Sequence, residues 1–286
     1  MSGVLVTGAG GFIGSRLTGL LAAAGHEVVG VRREHADLLV DPTGVLPEVT
    51  PDVLVHLAWI TEHGAFWEAP ENEDWVAASL ALLRAFAERG GRRAVVAGTC
   101  AEYDWTTGAT QLTEDAPIVP ATAYGAAKAR LHEAASALCA EAGLELAWGR
   151  IFFPYGPGEA PGRLVASVAR ALLAGEPAPT TDGMQVRDLI HVDDVAGAFA
   201  ALVDAPVVGA VNVGTGVGVR IRDVVELVAQ AAGRPELLRV GALPARPGDP
   251  AAVVADATRL TAEVGFRPVV GLAEGIAGAV ESWRVP

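Results

Sequence analysis

The chain has 286 residues, of which 51% are hydrophobic, and its formal net charge at pH 7 is −13. This length exceeds that of the commonest single domain but is short for two large ones, so we expect one main core with a smaller unit beside it. The negative charge argues against nucleic acid or an anionic membrane as a partner, and the two cysteines, Cys100 and Cys139, have neither disulfide nor metal-site spacing.

The first predicted element is a strand. GVLV at 3–6 is a short apolar run, and the charged, apolar and small-residue regions of a signal peptide are not found around it. No apolar stretch is long enough to cross a bilayer. We therefore expect a cytoplasmic protein that makes no membrane contact.

Strand-like and helix-like segments alternate along the chain. Apolar runs rich in β-branched residues occur at 3–6, 27–31, 53–57, 94–97, 145–151 and 211–213. Segments with helical periodicity occur at 14–24, 75–89, 124–141, 163–174, 193–203, 221–232 and 272–283. This alternation predicts the α/β class, with a Rossmann-type, doubly wound parallel sheet.

The composition changes after Arg150, where proline and glycine become frequent and predicted strands become scarce. We therefore predict a dinucleotide-binding domain over residues 1–150, with residues 184–205 packing back on it. Residues 151–286 are predicted to form mainly a smaller, C-terminal substrate-binding domain.

A glycine-rich motif, TGAGGFIG at 7–14, follows the first strand and opens the first helix. In this context Gly8 permits a tight turn, Gly11 lets the backbone approach a pyrophosphate, and Gly14 allows close packing of helix and strand. The positive end of the helix then faces the phosphates. The motif predicts a dinucleotide-binding loop, and we expect cofactor contacts from its two other members, Phe12 and Ile13.

The second predicted strand is followed by Arg32 and Arg33. An acidic residue at this place would bind the ribose 2′-hydroxyl of NAD, whereas a guanidinium suits the 2′-phosphate of NADP. The two arginines therefore favour NADP as the cofactor. NAD is the alternative, because the same residues also fit an ordinary charged surface.

Tyr124 and Lys128 lie four residues apart in YGAAK, at the start of a predicted helix, and Lys128 is the one lysine of the chain. This spacing places both side chains on one helix face. We expect the ammonium to lower the pKa of the tyrosine from about 10, so that Tyr124 can exchange a proton with a substrate. Thr99 ends the fourth strand, where its hydroxyl could bind the substrate oxygen or simply cap a turn.

These motifs resemble the extended short-chain dehydrogenase/reductase family, in particular its nucleotide-sugar epimerases, dehydratases and 4-ketoreductases. The resemblance runs nearly from end to end. Besides TGAGGFIG and YGAAK, it includes PDVLVHLA at 51–58, GRIFFPYGPG at 149–158, VRDLIHVDDVA at 186–196, VNVGTG at 211–216 and RPGD at 246–249.

The resemblance implies roles for individual residues. Thr99 corresponds to the catalytic Ser/Thr, Tyr124 to the acid/base, and Lys128 to the lysine that binds the nicotinamide ribose. It also implies a homodimer through two predicted helices, although the apolar faces of these helices fit a buried core equally well. The two helices are those over 75–89 and 124–141.

Further cofactor contacts are implied in the same way. Asp37 and Leu38 match the pair that flanks the adenine. Leu57 and Ala58 lie in the segment that passes the cofactor.

The implied substrate contacts are Arg187, Arg246 and Phe153. The two arginines match those that meet the diphosphate of a nucleotide sugar, where bidentate bonds supply local positive charge in an acidic protein. A structural salt bridge is the alternative for each arginine. Phe153 stands where the family usually has Asn, so a polar contact near the substrate or nicotinamide is replaced.

Other departures leave the substrate open. Trp75 stands where an Asn is frequent, and Asp104 where Gly is common. The segment 59–75 is rich in aromatic side chains, which could either pack or stack on a sugar or base.

No metal site is predicted. His56, His63 and His191 have no second ligand at metal spacing, so we expect packing or solvated roles for them.

These observations predict NADPH-dependent reduction of the keto group of a nucleotide-linked 4-keto-6-deoxy sugar, with hydride from nicotinamide C4 and a proton from Tyr124. The first alternative is a nucleotide-sugar 4-epimerase with tightly bound NAD(P). A dehydratase is disfavoured, because Cys100 and Ala101 stand where the family's dehydratases carry an Asp–Glu pair, and Glu102 alone is insufficient. A weaker alternative is a non-catalytic NADP-binding regulatory protein.

Overall fold

The computed structural model describes residues 2–34, 36–60, 62, 64–245 and 247–284. Its strands are β1 (Gly3–Thr7), β2 (Glu27–Val31), β3 (Val53–His56), β4 (Arg93–Thr99), β5 (Glu145–Ile151), β6 (Phe153–Tyr155), β7 (Ala178–Pro179), β8 (Val186–Arg187), β9 (Leu189–His191), β10 (Gly209–Val213), β11 (Val219–Arg220), β12 (Leu238–Arg239) and β13 (Ala252–Val253). Its helices are α1 (Gly14–Ala23), α2 (Glu71–Glu88), α3 (Ala123–Ala142), α4 (Leu164–Leu173), α5 (Val192–Asp204), α6 (Ile221–Ala232), α7 (Thr258–Ala262) and α8 (Leu272–Glu281). Short 3₁₀ turns occur at Cys100–Glu102 and Pro235–Leu237.

Six strands form one parallel sheet in the order β10-β5-β4-β3-β1-β2. They coincide with the six strand-like runs predicted from the sequence. The chain changes direction across the sheet between β1 and β3, and an open α/β sheet has its ligand crevice at such a point, outside the carboxyl ends of the strands. The loops that follow β1, β3 and β4 therefore meet at one edge.

Helices cover both faces of the sheet, as the predicted doubly wound arrangement requires. On one face α1 and α5 pack through Leu17, Leu21 and Phe199. On the other face α2 and α3 pack through Leu82 and Leu131. All of these side chains are buried, and burial of apolar surface stabilises a fold by about 25 cal/mol per Å².

The smaller C-terminal unit has a core of its own, in which α4, α6 and α8 pack around side chains such as Leu172 and Val228. The chain after residue 150 nevertheless contributes to both units. Within the predicted returning segment, 184–205, α5 packs under the large sheet. Residues 209–213 return in addition, because β10 pairs with β5 and covers what would otherwise be an exposed sheet edge.

The helix at the centre of the site, α3, has well-defined ends. The Thr122 hydroxyl accepts the N–H of Gly125 at 3.1 Å, which satisfies a free donor of the first turn. Gly143 ends the helix with a φ of 68°, a left-handed conformation that glycine adopts without strain. In the described part of the chain, no helix is long and apolar enough to span a membrane.

Candidate active site

The glycine-rich loop joins β1 to α1 and is shaped by close backbone approaches. Gly8 has a φ of 73°, and a Cβ added to it would lie 2.9 Å from the backbone nitrogen of Ala58. A Cβ on Gly14 would overlap the carbonyl oxygen of Gly8. The Gly11 N–H donates to that same oxygen at 2.9 Å. The glycines thus leave part of the loop backbone uncovered at the start of a helix, which fits the phosphates of a dinucleotide.

Other predicted cofactor residues lie at the edges of this loop. The N–H of Leu57 donates to the carbonyl of Thr7 at 3.2 Å, so the segment after β3 runs beside the end of β1. Ile13 caps α1 and packs against the core. The ring of Phe12 lies 5.5 Å from the guanidinium carbon of Arg16. The structure therefore gathers these residues around the loop, and their contact with the cofactor stays a prediction.

Arg32 and Arg33 follow β2 at the outer side of the loop. Both are exposed. The aliphatic part of Arg32 passes close to Gly10, and its Nη1 lies 3.7 Å from Oε1 of Glu34. An exposed ion pair of this kind contributes little, so Arg32 can be drawn to a phosphate without a large cost.

Asp37 and Leu38 lie in a turn further along the chain. Oδ1 of Asp37 accepts the N–H of Leu39 at 3.0 Å and so shapes the turn. Leu38 is buried in the core that α2 and α3 form with the sheet. The adenine-flanking role implied for this pair stays a prediction.

Thr99 ends β4, and Tyr124 stands in the first turn of α3. The Thr99 hydroxyl accepts the Ala101 N–H at 3.2 Å, and the Thr99 N–H donates to Oε1 of Glu102 at 2.8 Å. The threonine therefore does cap a turn. Its hydroxyl also lies close enough to the phenol of Tyr124 to lower the pKa of that group. The two roles are compatible, because a hydroxyl that accepts one hydrogen bond still has its own hydrogen to donate.

Lys128 lies on the buried side of α3. Its Nζ donates to the carbonyl oxygen of Ala97 at 2.8 Å and lies 3.6 Å from the centre of the Trp59 ring. Burial lowers the pKa of Lys128 to about 7, against an upward effect of the charge on Glu102. The ammonium is therefore held by a carbonyl and an indole ring. It loses its proton at a lower pH than an exposed lysine does.

The pKa of Tyr124 is raised, and the expectation that Lys128 lowers it is wrong. Burial is the largest cause of the rise, while Thr99 and the charge of Arg163 lower the pKa. The physical reason is that the lysine binds Ala97 and Trp59 instead of the phenol, so desolvation of the phenolate dominates.

A buried ion pair lies next to Thr99. Nε of Arg150 donates to Oε2 of Glu102 at 2.7 Å, and both side chains are almost inaccessible to water. The Trp148 indole N–H donates to the same carboxylate at 3.0 Å, and Arg150 also donates to the Tyr103 hydroxyl. Each charge is thus paired and hydrogen-bonded, as buried charges must be. Glu102 supports the strand end, and both of its oxygens accept hydrogen bonds.

The aromatic segment between β3 and α2 encloses Tyr124. The rings of Trp59, Phe66 and Trp67 lie edge-on to the Tyr124 ring, with centroids 6.4, 5.0 and 5.8 Å away. Trp59 also stacks on Trp75. Packing therefore accounts for Trp59, which is buried, whereas Phe66 and Trp67 stay half-buried.

Two of the predicted substrate contacts touch each other, since the guanidinium carbon of Arg187 lies 5.5 Å from the centre of the Phe153 ring. Arg187 donates to Oδ1 of Asp249 at 2.5 Å and to the carbonyl of Pro250 at 2.9 Å. The structural salt bridge, which was the alternative role for Arg187, is therefore present. A diphosphate bound by Arg187 would share the guanidinium with Asp249. The third predicted contact, Arg246, lies outside the described residues.

The histidines have packing roles where the structure describes them. The ring nitrogens of His56 are hydrogen-bonded to the hydroxyls of Thr7 and Ser79 at 2.7 and 2.8 Å, and burial lowers the pKa of His56 to about 3. His191 caps α5, and His63 lies outside the described residues. Over those residues, no group of three or more His, Cys, Asp and Glu side chains could hold a metal ion.

Comparison with known proteins identifies the relatives of this chain. Residues 4–214 match the model of the NAD dependent epimerase/dehydratase family. The chain belongs to this family. It is 33% identical to a UDP-glucose 4-epimerase of Mycolicibacterium smegmatis, with 98% of each chain covered.

Solved structures of the epimerase/dehydratase type superpose on nearly the whole chain. The UDP-glucose 4-epimerase of Thermus thermophilus in complex with NAD has a TM-score of 0.88 and 32% identity, covering 99% of both chains. MoeE5 in complex with UDP-glucuronic acid and NAD has a TM-score of 0.86 and 32% identity, again over 99% of both. The predicted family, the Rossmann-type fold and the class of NAD(P)-dependent enzyme are thereby confirmed.

Sequence reasoning passed over one residue that links the two halves of the epimerase/dehydratase site. Arg16 of α1 donates to the carbonyls of Phe12 and Pro157 and to the carboxylate of Asp193. It therefore ties the glycine-rich loop to the segment after β6 and to α5. Nothing local marks it among so many arginines, because two of its three partners are distant in sequence.

Sequence reasoning also passed over an ion pair that follows β6. Nη2 of Arg163 donates to the carbonyl of Pro154 at 3.1 Å, and its Nε lies 3.8 Å from Oε2 of Glu159. Burial raises the pKa of Glu159 to about 7. Glu159 and Arg163 stand four residues apart, so their opposite charges could have been paired from the sequence. That the charge of Arg163 acts on Tyr124 depends on the fold.

Proposed function

We propose that the protein is a nucleotide-sugar 4-epimerase that works with a bound nicotinamide dinucleotide. The observation that carries this proposal is that Thr99, Tyr124 and Lys128 gather around the carboxyl end of β4, where Lys128 donates to the carbonyl of Ala97. The relatives that align over nearly the full chain include UDP-glucose 4-epimerases, which supports the epimerase over the net reductase first expected from the sequence.

The proton at the sugar C4 oxygen is handled by Tyr124. Burial keeps its phenol protonated at neutral pH, which suits the half of the cycle in which a proton is returned to the sugar. In the opposite half the sugar hydroxyl gives its proton to the phenolate, so Tyr124 must first release its own proton to solvent. Thr99 and the charge of Arg163 lower the tyrosine pKa in this direction, against the larger effect of burial. When bound, the nicotinamide ring would accept the hydride from C4 of the sugar and later return it to the same carbon.

The proposal is tested by incubating the protein and NAD with UDP-glucose, or with dTDP-glucose as a second nucleotide, and following the C4 epimer by proton NMR. We expect epimer to form, and we expect Tyr124→Phe to lower kcat by about 100- to 10,000-fold. Tyr155→Phe is the matched control, since its hydroxyl donates to the Leu272 carbonyl at 3.4 Å, and turnover should be retained. Lack of any epimer with wild-type protein contradicts the proposal.

A second candidate, net NADPH-dependent reduction of a nucleotide-linked 4-keto-6-deoxy sugar, is favoured by Arg32 and Arg33 after β2. It requires NADP to bind more tightly than NAD. The double variant Arg32→Ala/Arg33→Ala should then raise the Kd of NADP by about tenfold or more, because charge-assisted hydrogen bonds contribute about 1.5–3 kcal/mol each. Arg84→Ala, on the exposed side of α2, is the control.

The assay that separates reduction from epimerisation is the nicotinamide absorbance. Reduction consumes one NADPH for each sugar converted, whereas an epimerase regenerates its cofactor. Equal or tighter binding of NAD by the wild-type protein counts against the reductase. Intact dinucleotide binding without turnover of any nucleotide sugar would favour the regulatory alternative.

A further inference from the structure

Phe66 and Trp67, which we call the aromatic wall, stand beside Tyr124 and take no part in the chemistry described above. Their ring centroids are 4.4 Å apart. Each ring is nearly perpendicular to that of Tyr124, at 89° and 87°. Both side chains keep part of their surface exposed. The two rings therefore lie beside the ring that carries the reacting hydroxyl.

The aromatic wall is held rigidly. The N–H of Tyr124 donates to the Trp67 carbonyl at 3.0 Å, which ties the wall to the first turn of α3. Asn72 is 1% exposed, and its Nδ2 donates to the carbonyls of Phe66 and Ala69 at 2.8 and 2.9 Å. A backbone fixed in this way loses little conformational entropy when the rings that it carries bind a ligand.

Lys128 is contacted by a different ring of the aromatic segment. In the part of the chain that the structure describes, the ring over the Lys128 ammonium is that of Trp59. Lys128 is the residue whose family counterpart binds the nicotinamide ribose. Trp59 therefore contacts both Lys128 and Tyr124, whereas the two rings of the wall contact Tyr124 and each other.

We propose that the aromatic wall is a sugar subsite, in which Phe66 and Trp67 stack against the C–H face of the hexose whose C4 oxygen meets Tyr124. This inference rests on the proposed function, because it takes the substrate to be a nucleotide sugar. A pyranose presents C–H bonds on its faces and hydroxyls at its rim. Aromatic rings supply apolar area for such a face without leaving a polar group unsatisfied.

The test compares the affinities for UDP-glucose and UDP by calorimetry in Phe66→Leu and Trp67→Leu. We expect each change to raise the Kd of UDP-glucose about five- to tenfold, the size expected for the loss of one aromatic contact. The Kd values of UDP and of NAD should stay within about twofold of wild type. Trp67→Phe keeps a ring and should recover most of the affinity. Trp283→Leu, at a half-buried tryptophan after α8, is the matched control.

Three outcomes would overturn the sugar subsite. The first is an unchanged Kd for UDP-glucose in both leucine variants, which leaves the epimerase proposal standing. The second is an equal loss of affinity for UDP and UDP-glucose, which assigns the rings to the nucleotide or to folding, and thermal melting then separates these two causes. The third is a wild-type protein that binds neither compound, nor the corresponding dTDP compounds, which removes the proposed substrate class as well.

Discussion

Lys128 combines a low pKa with a position at the cofactor crevice. Because burial lowers its pKa to about 7, the ammonium loses its proton as the pH rises through neutrality, while an exposed lysine stays charged up to about pH 10. Loss of the proton removes a charge and a hydrogen-bond donor from the group expected to hold the nicotinamide ribose. We predict that the Kd of NAD rises several-fold between about pH 6 and pH 8.

Fluorescence titration of the wild-type protein and of Lys128→Met measures this effect. The methionine variant should bind NAD more weakly and show little pH dependence over the same range. A wild-type Kd that does not change with pH would contradict the prediction. The free energy of unfolding should rise with pH between about 7 and 10.5, because the unfolded lysine binds a proton that the folded one releases.

The Glu102–Arg150 pair gives a prediction about stability. Arg150→Met leaves the Glu102 carboxylate buried without its counter-ion, which costs about 3–5 kcal/mol of unfolding free energy. The double variant Glu102→Gln/Arg150→Met removes both charges and should recover part of that loss. Urea unfolding measures both values. A double variant no more stable than the single one would show that the pair acts through its packing and not through its charge.

At the scale of elements, the start of α1 depends on Gly14. A Cβ there would overlap the Gly8 carbonyl, whereas a Cβ on Gly19, in the same helix, would meet no atom within 4 Å. Gly14→Ala should therefore distort the loop and weaken NAD binding by about tenfold or more, the loss of at least one phosphate hydrogen bond. Gly19→Ala should keep the affinity and stabilise the helix by up to about 1 kcal/mol.

Calorimetry with NAD and thermal melting test this pair of variants. If both bound NAD like the wild type, close packing at Gly14 would not be what shapes the loop. The comparison is direct, since both substitutions add one methyl group to the same helix.

At the scale of the whole molecule, the predicted homodimer concerns the outer surfaces of α2 and α3. The apolar faces of these helices are core, as Leu82 and Leu131 show. Small residues such as Ala137 lie on the outside of α3. We predict a dimer by light scattering, and Ala137→Arg should shift it toward the monomer, because an arginine would be forced into a close helix contact. Gln230→Arg on α6 is the control, and a monomeric wild type would contradict the prediction.

The sequence alone determined the sheet, the helices around it, and the residues that meet at its edge. Hydrophobic periodicity and turn residues are local properties, so β1 to β5 and β10 could be read directly from the chain. Tyr124 and Lys128 share a helix, and Thr99 ends a strand; their meeting follows from parallel topology once the motifs are in order. Thr99 and Glu102 also form a capping box, which a Thr three residues before a Glu can indicate in a sequence, and the catalytic role of Thr99 stays a prediction.

Tertiary structure decided the electrostatics and the partners of each charge. Arg150 meets Glu102 across 48 positions and Arg187 meets Asp249 across 62, so no local pattern could pair them. The pKa of Tyr124 rises because desolvation depends on the rings packed around it, and those rings come from a different loop. Spacing along a helix fixes which side chains are neighbours, but the surrounding fold fixes whether a charge faces its neighbour, a carbonyl or an indole ring.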